Sequence, residues 1–64
     1  MFEEVREELK RQGLSINKLS FKAEIQASDL SCALNGRKPF YPNWRKRVAA
    51  ALGVPEDKLF PEEQ

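Results

Sequence analysis

Helix-breaking residues divide this 64-residue chain into short pieces and thereby limit what it can fold into. Gly13, Asn35-Gly36 and Gly53 each follow a run with helical spacing of apolar residues, and each is typical of a helix end. Pro39 and Pro42 prevent a helix from continuing through the segment between Gly36 and Asn43. No strand-like alternation of useful length occurs between the breaks. The chain is therefore predicted to be all-α, with helices too short to be stable unless they pack on one another.

Five helices fit between these breaks, within a single domain that spans residues 1–64. The second helix follows an N-cap at Ser15, the third runs from about Ala27 to Leu34, the fourth from Trp44 to Leu52 with Asn43 as its N-cap, and the last from Pro55 to Phe60. The predicted inward faces are Phe2, Val5 and Leu9; Ile16, Leu19 and Ala23; Leu30, Ala33 and Leu34; and Trp44, Val48, Ala51 and Leu52. Residues 61–64 are expected to fray.

Charge is unevenly distributed along the chain, although the net charge is only +1. Residues 1–14 carry three basic and four acidic side chains, and residues 48–64 carry one basic and four acidic side chains. Residues 15–47 carry seven basic and two acidic side chains, a net charge of +5. A basic middle between acidic ends favours a polyanionic partner. A chance division in a short sequence is the alternative.

Two helices of about eight residues, joined through Ala23-Glu24-Ile25, are the most informative feature. Packed crosswise on other helices, such a pair leaves the outer face of its second helix projecting from the body. A rotation of 100° per residue puts Ser28, Cys32 and Asn35 at the centre of that outer face, with Ala27 and Ser31 beside them. Small side chains let a helix approach base edges closely, and they also occur on an ordinary solvated helix.

A larger set of residues between positions 13 and 60 fits one family pattern. The matching residues are Gly13-Leu14-Ser15, Leu19, Ala23, Ile25, Leu30, Ser31, Asn35-Gly36-Arg37, Ala49-Ala50-Ala51-Leu52-Gly53-Val54 and Leu59-Phe60. The more specific parts are the Asn-Gly after the third helix and the Ala-Leu-Gly-Val at the end of the fourth. On these residues the chain resembles the Cro/repressor helix-turn-helix family of phage and bacterial transcriptional regulators, also called the XRE family. The resemblance implies a compact five-helix domain with its helix-turn-helix at about residues 16–34.

The resemblance also implies roles for individual side chains on double-stranded DNA. In that family the third helix reads bases, which makes the base-reading candidates here Gln26, Ala27, Ser28, Ser31 and Cys32. Phosphate contacts are implied near Asn35, Arg37 and Asn43, and charge alone adds Lys18, Lys22, Lys38, Arg45 and Arg47. Gln26 can offer a donor and an acceptor to adenine, and Ala27 or Cys32 can contact a thymine methyl group.

Two positions depart from the family pattern. Ile16 stands where the family usually has a glutamine that holds a phosphate. Glu24 stands where glycine is common, and it would carry about 1 kcal/mol of strain if its backbone is left-handed. The central reading face also lacks Arg, Asn and Gln side chains that could make two bonds to one base. These departures weaken the expectation of strong direct readout.

Aromatic residues and Cys32 admit other roles. Phe40, Tyr41 and Trp44 could stack on nucleotides, but Trp44 shares the apolar stripe of the fourth helix and is predicted to pack in the core. Phe40 and Tyr41 either cover the core or contact a second copy. Cys32 is either an inert small residue or a redox sensor on the reading face.

Together these features predict a small DNA-binding repressor of phage or prophage type that acts as a homodimer. No enzyme activity, cofactor or metal site is expected, because the chain has no histidine, no Gly-rich phosphate loop and no base near Cys32. A single cysteine and no signal peptide favour a cytoplasmic location, on the nucleoid of a bacterial or phage-infected cell. The alternatives are a protein-interaction module of the same fold, such as an antitoxin or antirepressor, and an accessory factor that bends or bridges DNA.

Overall fold

Five α-helices form the framework of residues 2–61, the part of the chain that the computed structural model describes. They are α1 (Glu3–Gln12), α2 (Ile16–Ala23), α3 (Ala27–Leu34), α4 (Pro42–Leu52) and α5 (Glu56–Leu59). The all-α prediction is thus confirmed for these residues, which contain no strand. No helix among them is both long enough and apolar enough to cross a bilayer. The fraying predicted for residues 62–64 lies outside the described residues.

Local chemistry explains where most helices begin and end. The Ser15 hydroxyl oxygen accepts a hydrogen bond from the Lys18 N–H at 3.1 Å, which is the N-cap expected for α2. Gly13 and Gly53 take the left-handed conformation after α1 and α4, with φ values of 67° and 71°. At both positions a residue with a Cβ would be strained, so glycine sets the two helix ends.

The predicted starts of α4 and α5 were wrong by one or two residues. The N-cap of α4 is Tyr41, and Pro42 is its first helical residue, so Asn43 lies inside the first turn. Proline fits that position because its fixed φ is helical and its missing N–H would have no partner there. In α5, Pro55 is the N-cap, and the helix covers only Glu56–Leu59.

The core lies where α2 packs against α3 and α4. Leu19, Leu30, Leu34 and Val48 have no exposed surface, and Val5 of α1 is equally buried beside them. The predicted inward faces are confirmed, with Phe2, Ile16, Trp44 and Ala51 only partly buried against this core. Each fully buried Leu or Val adds about 1.5–3 kcal/mol from the removal of its apolar surface from water, which is what holds such short helices in place.

Three phenyl rings close the end of the core where Phe2 and Phe60 meet Phe40 of the loop after α3. The ring centroids of Phe40 and Phe60 are 5.0 Å apart, and Phe2 lies 5.1 Å from Phe40. Phe40 therefore belongs to the core, whereas Tyr41 is 45% exposed and rests edge-on against Trp44 at 4.8 Å. The two neighbouring aromatic residues that the sequence left undecided thus have different environments.

Candidate nucleic-acid interface

A tight turn of three residues joins α2 to α3. Glu24 has φ 58° and ψ 43°, the left-handed conformation in which a side chain with a Cβ is strained. The N–H groups of Glu24 and Ile25 both donate to the Ser20 carbonyl, and the Ile25 side chain is buried, so the turn is fixed from both sides. The strain expected for Glu24 if its backbone were left-handed is therefore present in the structure.

The orientation of α3 is set by three side chains on one face. Leu30, Ala33 and Leu34 have no exposed surface, which leaves the opposite face of the helix at the surface of the molecule. The residues predicted to read bases all lie toward that surface: Gln26 and Ser28 are exposed, and Ala27, Ser31 and Cys32 are half-buried. The Cys32 thiol is free. The outward face of α3 is therefore small and polar, as the sequence predicted.

Arg6 of α1 holds the C-terminal end of α3. Its guanidinium donates to the Leu34 carbonyl at 3.3 Å and to the Asn35 side-chain oxygen at 2.9 Å. Asn35 is the C-cap residue of α3, so these bonds fix both the last turn and the polar side chain that follows it. Sequence reasoning missed this contact because the two partners lie 29 residues apart and no local pattern connects them.

Lys38 lies beside the first turns of α3. Its ammonium group donates to an Asp29 carboxylate oxygen at 2.7 Å, and this bond raises the pKa of Lys38 above its ordinary value. The pair is solvent-exposed, so it adds little to stability. The pair places the Lys38 ammonium group next to the outward face of α3, and Asp29 neutralises part of the charge of that group.

Arg47 reaches from α4 to the turn before α3, where its guanidinium donates to the Glu24 carbonyl at 3.2 Å. This bond satisfies one carbonyl at the end of α2 and places a second cation near the start of α3. Four other residues predicted to bind phosphate are exposed to solvent: Lys18 and Lys22 on α2, Arg37 in the loop after α3, and Asn43 in the first turn of α4.

Arg45 faces the interior, in contrast to the other predicted phosphate-binding cations. One guanidinium nitrogen donates to the Phe40 carbonyl at 2.8 Å, and another lies 3.7 Å from a Glu56 carboxylate oxygen. Only 17% of the side chain is exposed. A phosphate contact by Arg45 would require these bonds to break, so we assign Arg45 to the connection between the loop after α3, α4 and α5.

The first turns of α3 and α4 provide a second kind of anion-binding group. Neither N-cap residue, Gln26 for α3 or Tyr41 for α4, makes a side-chain cap bond. Backbone N–H groups in these turns, together with the positive end of each helix dipole, favour a nearby anion. In α2 the corresponding position is occupied by the Ser15 hydroxyl group.

Phe21 is the feature of this region that sequence reasoning missed. Its side chain is 87% exposed, the most exposed large hydrophobic residue among those that the structure describes. It borders a shallow open groove, which is lined by Asn17, Ser20, Phe21, Glu24, Ile25, Gln26 and Ala27. A rotation of 100° per residue along α2 would have revealed it, because that rotation puts Phe21 opposite the buried Leu19 and Ala23.

Comparison with protein-family models, with curated proteins and with solved structures finds no match for this chain. Within residues 2–61, no three Cys, Asp or Glu side chains are grouped so that they could hold a metal ion. The surface itself consists of small polar side chains on α3, exposed cations around it and helix N-termini beside it.

Proposed function

We propose that this chain is a helix-turn-helix domain that binds duplex DNA, with α2 and α3 as the helix-turn-helix and α3 in the major groove. One observation carries the proposal: α3 buries Leu30 and Leu34 completely and presents small polar side chains on its opposite face. A helix of eight residues held in this way can enter a groove without rearrangement of the core. The resemblance to the Cro/repressor family supports the same arrangement.

The chemistry of each side chain decides whether we assign it to bases or to phosphates. Gln26 and Ser28 are exposed at the start of α3 and can bond to base edges, while Ala27 and Cys32 offer apolar contact to a thymine methyl group. Phosphates are bound by the cations around α3 and by the N–H groups of the first turn of α4. The exposed side chains assigned to phosphate are Lys18, Lys22, Asn35, Arg37, Lys38, Asn43 and Arg47.

A symmetric dimer is the form in which such a domain would act. One eight-residue helix touches too few base pairs for useful affinity, and a second copy would place its α3 in the next major groove, about 34 Å away. Regulation of transcription in the cytoplasm, as a phage-type repressor, is the role that the family resemblance favours. Selection of bound sequences from a random duplex pool tests this directly, because a symmetric dimer selects a palindrome whose half-sites are about ten base pairs apart.

A salt titration tests the electrostatic part of the proposal. Purified protein is titrated with a random duplex at two salt concentrations, and the affinity should fall steeply as salt rises because bound phosphates release counterions. Arg37→Ala should weaken binding to every sequence and reduce the slope of log affinity against log salt by about one. Lys10→Ala, an exposed cation on α1, is the matched control and should leave the slope unchanged. Absence of binding to the duplex, or an affinity that does not change with salt, would contradict the proposal.

Base reading is tested on the selected site. Gln26→Ala and Ser28→Ala should each reduce the preference for that site over random duplex by about 1–3 kcal/mol while the helical circular-dichroism signal stays unchanged. Both side chains are exposed, so truncation leaves the core intact. If the two variants keep the full preference, α3 is not the reading helix.

A protein-interaction module of the same fold is the second candidate, and Phe21 is the observation that favours it. A phenyl ring that is 87% exposed gains by transfer into an apolar site on a partner protein. The two functions would use adjacent surfaces, because Phe21 of α2 lines the same groove as Gln26 and Ala27 at the start of α3.

A further inference from the structure

Two lysine side chains lie near Phe21 on α2. Lys18 and Lys22 are one helical turn before it and one residue after it on α2, and both are exposed. The buried residues of α2 are Leu19 and Ala23, so the Phe21 ring points away from the core. Burial of a phenylalanine side chain in an apolar site is favourable, and in the single chain most of this gain is not realised. The surface formed by Phe21, Lys18 and Lys22 is called the aromatic knob below.

A recess of complementary character lies between α1 and the segment around α5. Its walls are Glu4, Glu7 and Glu8 of α1, and the half-buried Val54 and the buried Leu59 lie at its apolar side. Its volume of about 180 Å³ is comparable to the cavity of about 150 Å³ that accommodates a benzene molecule. It is called the acidic recess below.

The recess also contains two cations, and their partners matter for its net charge. The Arg11 guanidinium lies 3.3 Å from a Glu8 carboxylate oxygen, so these two charges largely neutralise each other. Lys58 is the other cation in the lining, against the two exposed carboxylates of Glu4 and Glu7. The wall formed by α1 is therefore acidic, and it is the wall that a cationic partner would meet.

We propose that the aromatic knob of one copy docks in the acidic recess of a second copy. The Phe21 ring then covers the half-buried Val54, and Lys18 and Lys22 face the carboxylates of α1. Knob and recess are different surfaces of one chain, so the contact is head-to-tail and leaves a free knob at one end and a free recess at the other. Further copies can add at both ends. This self-association does not depend on the proposed DNA-binding function, but it uses Lys18 and Lys22, which are also assigned to phosphate, so DNA and a second copy compete for the knob.

A head-to-head contact between two knobs would have the wrong electrostatics. It would bring together Lys18 and Lys22 of both copies, which places four ammonium groups beside two phenyl rings, and like charges that face each other at an interface repel. The recess instead pairs opposite charges. The contact is small compared with stable interfaces, which bury about 1,200–2,000 Å², so association is expected only at high protein concentration.

Dilution followed by two-dimensional NMR of the wild-type protein tests the contact without DNA. Backbone amide shifts should change with concentration at two separate places, around Phe21 and around Val54. Phe21→Ser should weaken self-association by about tenfold or more, because the ring supplies the apolar contact. Tyr41→Ser, which removes the other exposed aromatic side chain, is the matched control and should leave it unchanged. Shift changes confined to the Phe21 region would support knob-to-knob pairing and overturn the proposal.

A charge exchange identifies the two partners. Lys22→Glu and Glu7→Lys are both substitutions at exposed positions, and each variant alone should lose self-association because like charges then face each other. A mixture of the two variants should recover it, since the carboxylate introduced into the knob of one variant meets the ammonium group introduced into the recess of the other. Circular dichroism confirms that each variant is folded. If the mixture remains monomeric, or if the wild-type protein shows no association at millimolar concentration, the proposed contact does not exist.

Discussion

Replacement of Glu24 by glycine should stabilise the protein, because Glu24 takes a left-handed backbone that its Cβ disfavours. At φ 58° and ψ 43° a residue other than glycine is strained by about 1–2 kcal/mol. Glycine removes this strain but loses about 0.5–1 kcal/mol through the greater freedom of the unfolded chain. The bond from Arg47 to the Glu24 carbonyl involves only backbone at this position and is retained. The net gain in the free energy of unfolding lies between about 0 and 1.5 kcal/mol, with a midpoint of about 0.75 kcal/mol.

Thermal unfolding followed by circular dichroism measures this gain. For a domain of this size, 1 kcal/mol corresponds to a change in Tm of about 4–8 °C, so the midpoint gain of about 0.75 kcal/mol should raise the Tm of Glu24→Gly by about 3–6 °C. Glu24→Ala is the control, since it removes the carboxylate but keeps the Cβ and therefore the strain. A Gly variant no more stable than the Ala variant would show that the left-handed turn carries no strain, and the reasoning from backbone conformation would be refuted.

Two further predictions concern the cations around α3. Asp29→Asn should return the pKa of Lys38 toward its ordinary value, which an NMR titration of the Lys38 side chain measures. In the wild-type protein the ion pair stabilises the fold slightly, because the pKa of Lys38 is higher in the folded than in the unfolded state. This contribution to stability is complete at pH values below the unfolded-state pKa of Lys38. It is lost as the pH rises through the folded-state pKa. The same variant should bind DNA with a steeper salt dependence, by at most about one in slope, because Asp29 no longer neutralises part of the Lys38 charge. Arg45→Ala should lower the free energy of unfolding by about 1.5–3 kcal/mol through loss of its bonds to the Phe40 carbonyl and Glu56, whereas Lys46→Ala, at an exposed neighbour, should leave urea unfolding unchanged. Equal stability of these two variants would contradict the internal role of Arg45.

The helices could be predicted from the sequence because each depends on local signals. Gly13 and Gly53 end helices through backbone freedom at a single residue, and the burial of Leu30 and Leu34 follows from their spacing alone. The start of α4 was misplaced because proline can both exclude a helix before it and begin one. At Pro42 the second effect prevails.

The candidate site was harder to predict, because its polar contacts join residues that are distant in the chain. The exposed small face of α3 follows from helical rotation, so Gln26 and Ser28 were placed correctly at the surface. Charge alone cannot tell whether a cation faces solvent or the interior, and Arg45 is the example. The contact of Arg6 with Asn35 also cannot be predicted from the sequence, because it depends on how α1 packs near the end of α3.

Two residues that fit the fold poorly border the same groove. Glu24 is strained in its backbone, and Phe21 exposes an apolar ring that could have been a polar side chain without any effect on the core. Both line the groove that includes Gln26 and Ala27 at the start of α3. Residues that lower the stability of the fold tend to lie at functional sites, where they are retained for the contacts that they make with a partner. If the groove had no function, Phe21→Ser and Glu24→Gly would together improve solubility and stability without loss of any binding. We expect instead that the double variant is more stable and loses self-association, because Phe21 supplies the apolar contact of the aromatic knob.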